Sequence, residues 1–228
     1  MMGSDMDDTL LEWKTTRRRG LAHCTVLLVG ALGHTAGAAV AQRRRVILVV
    51  GDSLSAEYGL KRGSGWVALL ETRLVREGIA ATVVNASISG DTSSGGRSRL
   101  ATLLKQHQPT HVVLELGGND ALRGLPLAMT HDNLAAMARA ARGAGAKVVV
   151  VGMQVPPNYG RKYGDDFVAL FASVAQAEGA ALVPFLLKGV ADMPQADSLF
   201  QADRIHPREA AHPIMLGNVW AVLRPLLA

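Results

Sequence analysis

Cysteine is almost absent. Cys24 is the only one in the chain, so no intrachain disulfide can form, and no cysteine pair is available for redox work or a zinc knuckle. Aromatic residues are also scarce, at 4%. The basic residues after Arg45 are scattered, with no stripe and few aromatics between them. A surface that stacks nucleobases needs both features, so the formal charge of +5 reads as general surface charge and not as a nucleic-acid footprint. Charged residues make up only 19% and apolar ones 49%, which excludes bulk disorder and leaves enough apolar side chains for one core. Several motifs are missing as well. No G-x-G-x-x-G follows the first apolar run, and no G-x-x-x-x-G-K-[ST] or H-E-x-x-H occurs. Nucleotide and metal cofactors therefore lack support, and no cofactor is expected.

What is present begins with an export pattern. Lys14 and Arg17 to Arg19 form a basic patch, followed by a mostly apolar stretch from Leu21 to Val40 without a single Asp, Glu, Lys or Arg. It closes on Ala39-Val40-Ala41, an A-x-A pattern. Residues 1–41 are read as a signal peptide cleaved after Ala41, and 42–228 as one domain. A retained anchor is the alternative, but Gly30, Gly33, His34 and Gly37 weaken the stretch as a span. Leu21-Ala22-His23-Cys24 is a poor lipidation box, because His23 is bulky where a small residue is needed. The expected location is periplasmic or secreted, as a monomer with no stable membrane anchor after cleavage.

The mature part alternates two periodicities. Val46–Val50 is a continuous apolar run, as in a strand buried on both faces. Similar runs lie at Thr82–Asn85, His111–Leu116, Lys147–Gly152 and Ala181–Pro184. Between them come helical stripes: Trp66, Leu69, Leu70 and Leu74; Leu100, Leu103 and Leu104; Leu134, Met137, Ala138 and Ala141; Phe167, Leu170, Phe171 and Val174; and a closing helix from Ile214 to Leu223. Alternation of this kind predicts an α/β fold with a mainly parallel five-stranded sheet and helices on both faces.

In such folds ligands bind beyond the carboxyl ends of the strands. The polar clusters sit there. Gly51-Asp52-Ser53 follows the first run, Ser89-Gly90-Asp91 the second, and Gly117-Gly118-Asn119-Asp120 the third. Ser53 is a candidate nucleophile, placed where a strand gives way to an expected helix; a plain helix-capping serine is the competing reading. Asp203-Arg204-Ile205-His206-Pro207 puts a carboxylate three residues before an imidazole, which can fix its tautomer and stabilise the imidazolium. A surface Asp–His pair would look the same, and His212 is the nearest rival base. Gly90 can present a backbone N–H, and Asn119 a side-chain N–H, to a developing oxyanion. Ser55 stands where G-x-S-x-G would need its last glycine, so an ordinary α/β-hydrolase elbow is disfavoured.

These blocks together resemble the SGNH, or GDSL, hydrolase family. Gly51-Asp52-Ser53-Leu54-Ser55 is similar to its first block, Gly90 to the glycine of the second, Gly117-Gly118-Asn119-Asp120 to the third, and Asp203-Arg204-Ile205-His206 to the fifth. Within the family the chain looks closest to the periplasmic TesA-type group of thioesterase I, lysophospholipase and arylesterase enzymes, through Gly51–Ala56 and Val151–Gly160. The resemblance implies a three-layer α/β/α flavodoxin-like fold and hydrolysis of carboxylic esters and thioesters. It implies Ser53, Asp203 and His206 as triad, with the oxyanion held by Ser53, Gly90 and Asn119. Arg204 departs from it, standing where a small residue, often glycine, is common.

Leu122, Met153, Pro156, Pro157 and Tyr159 follow the third and fourth strands and are expected to line an acyl pocket. Expected substrates are small acyl esters or thioesters, lysophospholipid among them. Two other readings carry the same fold: a glycan O-deacetylase, which would want a more polar and aromatic pocket, and a non-catalytic binding module, which would not need the full set of site residues.

Overall fold

The computed structural model describes residues 44–228. The predicted signal peptide lies outside the described residues. Among those described, no helix is long and apolar enough to cross a membrane.

The chain alternates strand and helix as its periodicity demands. The strands are β1 (Arg45–Gly51), β2 (Ala81–Asn85), β3 (His111–Glu115), β4 (Lys147–Val151) and β5 (Ala181–Val183). The helices are α1 (Trp66–Arg76), α2 (Ser93–His107), α3 (Gly118–Leu122), α4 (Leu127–Gly143), α5 (Arg161–Ala177) and α6 (His212–Leu226). One sheet holds all five strands in the order β2-β1-β3-β4-β5, and every pairing is parallel. Helices α1 and α6 pack together on one face, and α2, α4 and α5 form the other layer. The expected three-layer arrangement is what the chain adopts.

Central and edge strands differ as their sequences do. The β1 run Ile47–Val50 and the β3 run Val112–Leu114 are fully buried, whereas β2, at the edge, is only partly covered. Gly96 lets α2 lie close to the sheet, since a Cβ there would fall 2.3 Å from a Leu116 methyl. The short helix α3 was not legible as one. Its residues, Gly118-Asn119-Asp120-Ala121-Leu122, have the composition of a turn.

From β1 the chain moves outward to β2, then returns past β1 to β3. That reversal makes a switch point between β1 and β3, where an open α/β sheet forms its crevice. The register pairs Gly51 with Glu115 and Val49 with Asn85. It therefore brings the segments after β1, β2 and β3 to one edge of the sheet.

Candidate active site

Ser53 lies in the turn just after β1. The helix expected there does not form, because α1 starts only at Trp66. Helix-like bonds begin, from Ala56 N–H to Asp52 O at 2.9 Å, but Glu57 (φ 59°) and Gly59 (φ 69°) take left-handed backbone and break the turn. The nucleophile position thus owes nothing to a helix dipole.

His206 and Asp203 come from a tight loop closed by the Phe200–Pro207 bridge and by Gln201 N–H donating to His206 O at 2.8 Å. The loop folds this way because Asp203 Oδ1 accepts the N–H groups of Ile205 and His206, both at 3.0 Å. Arg204, at its tip, has φ 58°. Glycine adopts that conformation freely, which explains why a glycine suits the position and marks Arg204 as strained.

The loop sets His206 between two partners. Its Nδ1 is 2.7 Å from Asp203 Oδ2, and its Nε2 is 2.9 Å from Ser53 Oγ. The His206 N–H, then the His206 ring, then the Ile205 N–H hold the Asp203 carboxyl down to about 2. Asp203 therefore stays a carboxylate that fixes the imidazole proton on Nδ1 and leaves Nε2 to accept from the serine. The rival, His212, has another task. It is buried in α6, its Nδ1 accepts the Trp66 N–H at 3.0 Å, and burial lowers its pKa.

The three expected oxyanion donors lie in the segments that follow β1, β2 and β3, and Asn119 lines the same cavity as Ser53. Neither Ser53 N–H nor Gly90 N–H has a hydrogen-bond acceptor among the described residues. Gly90 has φ 79°, and its carbonyl accepts from Arg123 Nη2 at 2.8 Å. The segment around it is clamped by Arg99, which pairs with Asp91 at 2.8 Å and also holds Ala86 O. Asn119 differs from the other two donors. Its Nδ2 donates to Asp52 Oδ2 at 2.9 Å and to Asp91 O at 3.0 Å, so both amide hydrogens are engaged at rest. Asp120, wholly buried, accepts the Ser93 N–H at 2.8 Å and the Thr130 hydroxyl at 3.1 Å. It ties α3 to the start of α2.

Behind the serine lies a buried acid pair that sequence reasoning missed. Glu115 Oε2 accepts the Ser55 hydroxyl at 2.6 Å and the Asp52 N–H at 3.3 Å, while its Oε1 is buried without a partner. Burial, and then the Asp52 charge, push Glu115 well above the usual carboxylate range. Burial likewise raises Asp52 to about 6, against the lowering pull of Leu54 N–H, Asn119 and His206. The sequence signal was an acid inside an otherwise apolar strand.

A cavity of about 510 Å³ opens beside Ser53 and His206. Leu122, Met153, Pro156 and Pro157 line it as expected. Tyr159 does not. It sits on a 3₁₀ turn and packs on Tyr163 at 5.8 Å, in a row that continues to Phe167. Further apolar walls come from Leu54, Val155, Phe185, Leu187, Phe200 and Ile205. Most of these lie in segments whose approach to the site depends on the tertiary fold. The cavity can take an acyl chain, with its carbonyl presented to Ser53.

With this geometry in view, comparison with known proteins is decisive. A profile of the GDSL-like lipase/acylhydrolase family matches residues 49–214. The chain belongs to this family. Esterase TesA of Pseudomonas aeruginosa is 54% identical over 183 residues, covering 80% of this chain and 90% of that protein. Thioesterase 1/protease 1/lysophospholipase L1 of Escherichia coli is 40% identical, covering 79% and 84%. Among solved structures, one of TesA superposes with a TM-score of 0.77 at 53% identity, covering 80% of this chain and 99% of that one. This member of the GDSL family is an ester hydrolase with an all-parallel α/β sheet.

Proposed function

We propose that this GDSL hydrolase cleaves carboxylic esters and thioesters of small acyl groups through an acyl-enzyme on Ser53. The observation that carries the reading is the continuous chain Ser53 Oγ–His206 Nε2–Asp203, at 2.9 and 2.7 Å. Ser53 attacks the carbonyl carbon while His206 Nε2 takes its proton. Negative charge gathers on the carbonyl oxygen, which the N–H groups of Ser53 and Gly90 and the Asn119 amide stabilise. His206 then protonates the leaving alcohol or thiol. Water, deprotonated by His206, hydrolyses the acyl-enzyme and restores Ser53. The apolar walls of the cavity favour an alkyl acyl group over a sugar.

The names of the relatives point to aryl esters, acyl thioesters and lysophospholipids as the substrate range to test. The A-x-A site at Ala39–Ala41 behind a basic patch and an apolar stretch supports export, with the mature enzyme periplasmic or secreted. N-terminal sequencing of the exported protein checks the cleavage after Ala41.

The catalytic reading is tested by burst kinetics with p-nitrophenyl butyrate and by fluorophosphonate labelling, beside Ser53→Ala. Wild type should turn over and label at Ser53, and the variant should do neither. A folded wild type that does neither removes the reading.

A further inference from the structure

Tyr58 belongs neither to the triad nor to the cavity wall, yet its ring covers His206. The centroids of the two rings lie 4.2 Å apart, with planes inclined by 36°. The chain is built to hold it there. Glu57 accepts left-handed backbone just before it, and the Glu57 carboxylate is itself held by Gly63 N–H at 3.0 Å and Gly65 N–H at 2.8 Å. A strained residue kept in place by its own hydrogen bonds marks a position whose direction matters. Gln201 completes the arrangement. Its side-chain amide donates to Tyr58 O at 2.9 Å and Pro207 O at 3.2 Å, while its backbone N–H holds His206 O. One residue thus fixes the main chain of Tyr58 and of the histidine loop together. Gly59 lies so close to Gln201 that an added Cβ would sit 2.2 Å from its side-chain oxygen.

The Tyr58 hydroxyl makes no hydrogen bond among the described residues, and the residue is 49% exposed. What the loop delivers is a ring face. His206 is held only at its edge, by Asp203 on Nδ1 and Ser53 on Nε2, and an edge-held ring can rock about the line joining those atoms. Resting on the proposed role of His206, we propose that Tyr58 is a positioning residue: its ring blocks that rocking and lies against the positive charge the imidazole gains on taking the serine proton.

The test compares Tyr58→Phe, Tyr58→Leu and Tyr58→Ala in the mature chain. Readouts are kcat and KM for p-nitrophenyl butyrate and butyryl-CoA, the fluorophosphonate labelling rate, and the melting temperature. Phe should keep kcat within about twofold, because a ring face remains. Ala should lower kcat about 5–30-fold on both substrates, with KM nearly unchanged and labelling slowed in parallel, as expected when a catalytic group loses orientation but substrate contacts persist. If Ala melts early, Leu decides by the same criteria. The role is overturned if Ala and Leu keep wild-type kcat, if Phe loses as much as Ala, or if the loss appears only in KM for the aryl ester. A wild type that neither labels nor turns over overturns the triad reading and this role with it. An active wild type beside an equally active Ala variant overturns the Tyr58 role alone.

Discussion

Asn119→Ala separates what the Asn119 amide gives to catalysis from what it gives to the fold. Removing one oxyanion donor costs on the order of 10²–10³ in turnover. Ser53 N–H and Gly90 N–H stand open, but the Asn119 hydrogens are already donated to Asp52 Oδ2 and Asp91 O. An oxyanion must compete for a hydrogen that has a partner, so its net gain is smaller than from an idle donor. The expected loss is therefore at the lower end, about 10² in kcat or about 2.7 kcal/mol of barrier. The same change strips a donor from Asp52, and a buried acceptor left unpaired costs about 1–3 kcal/mol. Stability should fall too, through a different route. Pre-steady-state acylation with p-nitrophenyl butyrate reads the first effect, and urea unfolding in a Ser53→Ala background reads the second. An acylation rate within threefold of wild type would sink the oxyanion assignment. Unchanged stability would show that the Asp52 contact carries no weight in the fold.

Arg204→Gly should leave stability within about 1 kcal/mol, since relief of left-handed strain offsets the added chain freedom, and it should change KM by widening the cavity mouth that Arg204 lines; thermal melts and KM for bulky and small esters check both parts. Leu122→Trp should shorten the preferred acyl chain, because Leu122 faces the cavity, as measured across p-nitrophenyl acetate to decanoate. Asp203 is held at about 2, below its ordinary value of 3.8. A depressed acid contributes stability above its unfolded value and loses it as pH falls through the folded one. The folded Asp203 stays ionised while the unfolded chain takes up its proton, so stability falls as pH drops from about 5 to about 2, and Asp203→Asn should flatten the unfolding-midpoint profile in that window. Asp52 behaves oppositely. Its folded carboxyl is raised to about 6, so the folded state keeps a proton that the unfolded chain releases, and stability falls as pH rises from about 4 to 6. In urea titrations, Asp52→Asn should lose less stability than wild type between pH 4 and pH 7; an equal loss would refute the linkage.

The layers of this fold were legible because their signals are local. Continuous valine and isoleucine runs mark strands covered on both faces, and the Phe167, Leu170, Phe171, Val174 stripe is a helix face that the structure buries entirely. The polar side of the site was legible for a related reason. Parallel strands place the residues after each apolar run at a common edge, so Ser53, Gly90 and Asn119 were read as neighbours without knowledge of distances. Features that depend on packing between distant segments escaped. Tyr159 follows β4 as the cavity-lining residues do, but its ring is drawn into an aromatic row with Tyr163 and Phe167. Phe185, Leu187 and Phe200 wall the cavity from segments with no periodic signature of their own. The expected helix after Ser53 failed for a local reason that composition hid, the left-handed backbone of a glutamate.

Glu115 shows how such a site imposes its demands on the sheet. A valine at this point of β3 would suit a strand buried on both faces, and it would remove a fully buried acid with one oxygen unpartnered. It would also take away the acceptor for the Ser55 hydroxyl and the Asp52 N–H. Ser55 in turn accepts the Trp66 indole N–H at 3.1 Å, so the start of α1 is tied to the same carboxyl. Two neighbouring buried carboxyls cannot both hold charge cheaply, and the more deeply buried one takes the proton first. Asp52 has Leu54 N–H and the Asn119 amide; Glu115, wholly enclosed, is raised further. A neutral Glu115 lets Asp52 ionise above about pH 6 and grip the Asn119 amide at the oxyanion position. The buried acid is thus a stability cost that orients the turn carrying Ser53, and its place in the strand follows from the register that pairs it with Gly51.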